Sequence, residues 1–381
     1  MNIRKKYLAV GALSVVAALA LVACSSGGTG SADDDTYTVA IVRWDAGDIF
    51  FNGVQAGEKQ AIADLEKEND VTIETKVVAV NDAAGQLDGL QALVSQGIDG
   101  VSLVPWRGES MVQVLKELRD QGIPVVVHNL AVPDTEAPFV AFDNVLAGKF
   151  AAESIVEDLV TSRGEDWAAK GGSIVLLRGD VTNSFDRGRF DGYMSVFQPI
   201  IDENPGVKIV ERANLDYQGE KGRKAVEDAI TSEGAGNILA VGSVDGTMAV
   251  GGAIPALKTA GISVAVGEPA SVPVTSIDCS APELESIAAN ELSHCSEQPA
   301  LAEGVLVQRL LFDMMSRGAV DADPAVADIP EWADAPWGPV KATTRDDMAG
   351  PWFATKAFAV PGDLPLDSPE HWANATSVSG G

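Results

Sequence analysis

The sequence predicts an α/β protein built of two doubly wound parallel-sheet domains. Three observations carry this. Apolar strand-like runs alternate with helical runs throughout residues 36–278. The strand-like runs are apolar at nearly every position rather than at every second one, as in a parallel sheet covered on both faces. The order strand, helix, strand, helix is also stated twice in succession, which implies two units of one kind.

The elements follow in order. "TYTVAIVRW" is a β-rich run, and "NGVQAGEKQAIADLEKE" after it sets Val54, Ala61, Ile62 and Leu65 on one helical face. "VTIETKVVAV" is the next strand, and "AGQLDGLQALVSQG" the next helix, closed by Gly97. "GVSLVPW", "ESMVQVLKELRDQG" and "IPVVVHNL" continue the alternation. The second half opens with the strand "GGSIVLLRGD", a polar loop and the helix "RFDGYMSVFQPIIDEN". It continues with "GVKIVERANLD", "GEKGRKAVEDAITSEG", "NILAVGSVD" and "GTMAVGGAIPALKTAG", then the strand-like "ISVAVG" and "VPVTSIDCS". "QPALAEGVLVQRLLFDMMSRG" is a further amphipathic helix. From Asp321 to Trp372 the chain turns to Pro, Asp, Ala and Trp, and is expected to strap over the domains through buried indoles. Ligands of parallel sheets bind beyond the carboxyl ends of the strands, so two facing sheets would line one shared cleft.

The start of the chain has the build of an export signal. Arg4, Lys5 and Lys6 precede an apolar stretch from Tyr7 to Val22 that is short for a spanning helix. Leu21-Val22-Ala23-Cys24, followed by Ser25-Ser26-Gly27-Gly28, resembles the lipobox of bacterial lipoproteins, whose cysteine is acylated. The resemblance implies a signal peptide over 1–23, lipidation at Cys24, a flexible tether over 24–35 and an extracytoplasmic protein anchored to the cell membrane; the alternative is an ordinary signal peptide.

The formal charge is −28, and the 1–23 segment carries three positive side chains, so the exported remainder stands at −28 − 3 = −31. That balance argues against a nucleic-acid partner, which needs basic patches. An apolar content of 46% and a mean hydropathy of +0.09 describe a globular chain. Besides Cys24 there are only Cys279 and Cys295, a pair that could persist as a disulfide outside the cytoplasm. Of the histidines, His128, His294 and His371, only His294 lies beside a cysteine, so no metal site and no cofactor are expected.

With these residues in place, residues 36–320 resemble the type I periplasmic sugar-binding proteins of ABC importers, the ribose-binding-protein-like group. "VRWDAGDIFFNGVQAG" resembles that family's first strand and loop. Asp48 falls where the family has a sugar-binding asparagine, and Phe50 and Phe51 match its paired phenylalanines; stacking on a sugar face or packing at the helix start would each use such rings. Trp44 would add a wall. "LVPWRGES" departs from the family's pattern: Trp106 would be a platform, and Arg107 either a donor to the ligand or a surface partner of Glu109. In "IPVVVHNL", Asn129 and Leu130 replace the usual Asp-Arg. In "VAFDNVLAG", Asp143 and Asn144 resemble a crossing segment that caps the next helix. "RGDVTNSFDRGRFDGY" places Arg189 at the ligand arginine, with Arg187 close by and ion pairs to Asp186 or Asp191 as the alternative. Tyr217 matches an aromatic position, Asp245 a ligand asparagine and Asp278 the ligand aspartate. An ungapped count from Asp278 brings Gln298 to the ligand glutamine and Cys295 to the strand beside Cys279, which implies their disulfide.

The resemblance implies two lobes joined by a multi-strand hinge, 36–141 plus 299–329 and 142–298 plus the tail 330–372. It implies a monomeric receptor, not an enzyme, that captures a sugar or polyol by closing and delivers it to an ABC permease. A signalling or chemotactic receptor on the same fold is the alternative. An envelope glycosidase lacks a placed pair of carboxylates, and a sugar-responsive repressor would need a basic helix-turn-helix that is absent from the N-terminus.

Overall fold

The computed structural model describes residues 36–44, 49–345 and 348–375. The signal segment, tether, Cys24 and Asp48 lie outside the described residues. The strands are β1 (Thr36–Arg43), β2 (Thr72–Ala79), β3 (Gly100–Leu103), β4 (Val125–His128), β5 (Phe139–Phe142), β6 (Gly172–Leu177), β7 (Val207–Arg212), β8 (Ile238–Ser243), β9 (Val274–Asp278), β10 (His294–Glu297), β11 (Lys341–Thr343), β12 (Trp352–Thr355) and β13 (Phe358–Val360). They form two sheets, in the orders β11-β12-β5-β4-β3-β1-β2 and β13-β10-β9-β8-β6-β7. From β1 to β5 and from β6 to β10 the same doubly wound order, 2-1-3-4-5, is built twice, with parallel pairing throughout. The winding direction reverses between β1 and β3 in one sheet and between β6 and β8 in the other. Loops leave those points in opposite directions and open a crevice.

The apolar runs behave as their composition requires. β3, β4, β5 and β8 are buried along their whole length. The Ile49–Asn69 helix buries Val54, Ala61 and Leu65. Asp143 caps the Asn144–Arg163 helix by accepting from the Leu146 amide at 2.9 Å.

Three differences from expectation have physical reasons. "ISVAVG" forms no strand. Val264 is buried, but the chain turns back through 265–271, so β9 rather than this run pairs with β8. The tail does not belong to the second lobe alone: β12 extends the first sheet in parallel with β5, β11 joins it antiparallel, and β13 caps the second sheet antiparallel to β10. Its short strands complete edges that the doubly wound units leave open. Of the four tail tryptophans, only Trp372 is fully buried; Trp332, Trp337 and Trp352 are half-buried.

The chain passes between the sheets three times: from β5 into the Asn144–Arg163 helix, from β10 into the Ala300–Arg317 helix, and from β12 to β13. Cys279 and Cys295 are bonded, with Cα atoms 5.4 Å apart. The bridge ties the residue after β9 to its neighbour β10.

Candidate functional site

Strand ends supply the site. Trp44 follows β1, Asn129 follows β4, Tyr217 follows β7, Asp245 follows β8, Asp278 ends β9 and Gln298 follows β10. Together with Phe50, Phe51 and Arg189 they line one cavity of about 20 Å³ between the sheets. That is room for about one water. The aromatic walls come from both lobes. Trp44 lies 5.7 Å from Phe51, 6.3 Å from Phe185 and 6.2 Å from Tyr217, centre to centre. Its indole N–H donates to the Pro105 carbonyl at 3.0 Å, which fixes the ring across the mouth.

Arg189 is the hub of the polar half. The helix carrying it, Ser184–Glu203, crosses the Asn144–Arg163 helix at backbone contact. A Cβ on Gly148 would sit 1.9 Å from the Arg189 carbonyl, and one on Gly192 would sit 2.2 Å from that of Val145. The two glycines let the helices meet and carry Arg189 down to the sheet edge. Its Nε donates to Asn144 Oδ1 (3.0 Å), Nη1 to the Val244 carbonyl (2.6 Å) and Nη2 to Gln298 Oε1 (2.8 Å), while Nη2 pairs with Asp278 Oδ1 at 3.0 Å. Asp186 pairs instead with Arg178, through a 2.7 Å bond from its Nε. Arg187 is exposed and donates to the Thr182 carbonyl, away from the cavity.

The network continues into the first lobe. Gln298 Nε2 donates to Asn129 Oδ1 (3.2 Å) and Glu303 Oε2 (2.8 Å), and the same glutamate oxygen meets His128 Nε2 at 2.9 Å. Asn129 and Asp278 sit at φ of 62° and 117°. Non-glycine residues held there, at the ends of two facing strands, are strained positions of the kind found at binding sites. Asp245 caps the turn after β8 by accepting from the Met248 amide at 3.0 Å. One guanidinium, two carboxylates and two amides thus converge on a cavity walled by rings. Carboxylates accept from hydroxyls, guanidinium donates to them, and the rings cover apolar C–H faces.

Two residues named from sequence stand apart. Trp106 lies outside the inner cavity, 4.7 Å from Trp44. Arg107 pairs neither with Glu109 nor with the cavity: its Nη2 reaches Asp180 of the facing lobe at 2.8 Å, and Nη1 donates to the Thr182 hydroxyl. Burial opposes the Asp180 charge, but Thr182 and Arg107 outweigh it and hold the carboxyl below its ordinary range. The sequence reading missed Phe185, buried against Tyr217 at 5.4 Å and 5.1 Å from the Arg189 guanidinium. Its signal was present: it lies four residues before Arg189, on the same helical face. Asn183, which donates to the Tyr217 hydroxyl at 3.1 Å, was also missed.

A further contact crosses the lobes from behind. The Trp372 indole N–H donates to the Asp278 carbonyl at 2.9 Å, and its ring meets Phe50 edge-on at 6.2 Å. Its backbone amide and the His371 ring both bond Glu297. Burial pushes the Glu297 carboxyl up to about 7, against the pull of His371.

Comparison with known proteins agrees with this architecture. The profile described as periplasmic binding protein domain matches residues 39–318. The xylitol-binding protein of Mycolicibacterium smegmatis is 26% identical over 285 residues, 73% of this chain and 71% of that protein. The D-xylose-binding periplasmic protein of Escherichia coli is 27% identical over 180 residues, 47% of this chain and about half, 51%, of the relative. Among solved structures, the Caulobacter myo-inositol binding protein superposes with a TM-score of 0.67 at 19% identity, covering 90% of this chain and 97% of that one. A substrate-binding protein of a Bordetella parapertussis sugar ABC transport system gives 0.66 at 18%, covering 90% and 94%. With two wound sheets, three crossings and a cavity at the facing strand ends, the chain belongs to the periplasmic binding protein family in its type I form.

Proposed function

We propose that this protein is a lipid-anchored, extracytoplasmic receptor that captures a sugar or polyol by closure of two lobes about the three crossings and delivers it to an ABC permease. The observation that carries the reading is the convergence of Arg189, Asp245, Asp278, Asn129 and Gln298 on a cavity walled by Trp44, Phe50, Phe51 and Tyr217. Such a set suits an uncharged polyhydroxylated ring, because each buried hydroxyl left unpaired costs free energy and the network therefore selects stereochemistry. Relatives that bind xylitol and D-xylose support the same class of ligand. The lobes of this reading are 36–141 with 299–329 and 142–298, and the tail is shared between them. The inner polar groups now satisfy one another, so ligand exchanges those bonds for its own as the lobes part and close again. Lipidation at Cys24 rests on the Leu-Val-Ala-Cys run and the Gly/Ser-rich stretch after it.

The test is a thermal-shift screen of the exported protein against pentoses, hexoses, pentitols and inositols, followed by calorimetry on the hit. A stabilising hit whose affinity falls at least tenfold in Asp278→Ala supports the reading. A flat screen, or a hit bound unchanged by Asp278→Ala, overturns it.

A further inference from the structure

Outside the inner cavity, on the solvent side of Trp44 and Tyr217, the cleft holds a second chamber of about 880 Å³. Trp44 and Tyr217 line both spaces, so their touching rings form the partition between the two. The chamber is not the gap of a parted hinge. The lobes already touch on its inner side, through Trp44 against Phe185 and Tyr217, and across the cleft through Arg107 and Asp180. Further closure would drive these groups into one another, so the chamber persists when the lobes are together. Its volume falls within the range of sites that enclose whole small ligands, whereas the inner cavity is far below it.

The lining has the chemistry of a second sugar site. Trp106 adds a half-buried indole beside Trp44. Asn81, Gln218, Thr247 and Ser280 face it with amides and hydroxyls. Among the described residues, its lining includes Asp180 and Asp216, paired with Arg107 and Lys221, and no lysine or arginine of its own. The cations beside them are already engaged, so an anionic group would have to break an ion pair to be received, whereas a neutral hydroxylated ring would find both apolar faces and hydrogen-bonding partners.

We propose that the ligand is a neutral glycoside: as the lobes part, one ring takes the place of the bonds that the inner polar groups make to one another, and a second ring lies in this outer chamber, with the linkage beside Trp44 and Tyr217. The inference rests on the sugar-binding reading above and names its substrate class. It also gives the Trp106-Arg107 departure from the family's pattern a consequence: Trp106 walls the outer ring, and Arg107 holds the rim of the chamber through Asp180.

Calorimetry on the exported protein tests it with a graded set: D-xylose and D-glucose, their methyl glycosides, and the disaccharides xylobiose and cellobiose. The expected result is that at least one disaccharide binds tenfold or more tighter than its parent monosaccharide. Thr247→Trp, which fills the chamber from its exposed wall, should cancel that ratio, and Trp106→Ala should reduce it severalfold. Binding of monosaccharides with exclusion of every disaccharide, or a ratio untouched by both variants, overturns the outer site and leaves the sugar-binding reading standing. If no sugar of either size binds, both fall.

Discussion

Trp372 offers the sharpest separation of support from binding. It is remote in sequence from every cavity residue, yet its indole N–H holds the Asp278 carbonyl and its ring backs Phe50 of the other lobe. It is 3% exposed. Trp372→Ala removes the whole ring from a packed site next to Gly53, where a Cβ would already meet the indole at 2.6 Å, and should cost about 3–5 kcal/mol of stability. Trp372→Phe keeps most of the packing and deletes the donor. Leaving the Asp278 carbonyl without it should cost about 1–3 kcal/mol. Asp278 is held at φ 117°, a conformation that needs its surroundings to impose it. Its carboxylate therefore loses its aim in Trp372→Phe, and ligand affinity should fall about tenfold, which is about 1.4 kcal/mol. Urea unfolding gives the first quantity and calorimetry with the ligand found by screening gives the second. A Phe variant that loses stability but binds as tightly as the parent would refute the positioning role and leave Trp372 as packing alone.

Two further outcomes follow from the second lobe. The Cys279–Cys295 bridge closes a separation of 16 residues, so Cys279→Ser with Cys295→Ser should lower the urea-unfolding free energy by about 3 kcal/mol; a loss well below 1 kcal/mol would show that the local strands already hold that turn in the unfolded chain. His294 is buried, and burial lowers its pKa to about 3, so its contribution is complete above its unfolded value near 6.5 and is lost as pH falls toward 3. By pH 5 that loss is about 2 kcal/mol. Chemical unfolding at pH 7 and pH 5 should show a smaller acid loss in His294→Gln, and an identical slope in both proteins would exclude His294 as its source.

The order of strands and helices was legible because burial on both faces makes a parallel strand apolar along its length, as in "VVVH" and "SIVLL". The cleft was legible because such sheets present ligands to strand ends; Asn129, Asp245 and Asp278 were named through the family resemblance, and the fold sets them at such ends. What escaped detection depends on contacts distant in sequence. The partner of Arg107 lies 73 residues away, across the cleft, at Asp180. Nearby Glu109 was the local alternative, and local patterning carries no information on facing lobes. The tail strands have three or four residues each, too few to show a period, and their pairing is decided by the open edges they cover. "ISVAVG" is as apolar as a true strand, yet only Val264 of it is buried and it joins no ladder. Phe185 takes its role from Tyr217, 32 residues on and beyond the end of another strand, which the local run "SFDRGR" does not encode.

The crossings are anchored at neighbouring strands β5 and β12 in one sheet and β10 and β13 in the other, so they gather at one side of each sheet. β6, whose loop carries Asp180, stands three strands from β10, about 14 Å at ordinary strand spacing. The Arg107–Asp180 rim therefore swings through a longer arc than the inner network for any given rotation. Dyes placed beside those two positions would report occupancy as an optical signal without touching the inner network around Arg189.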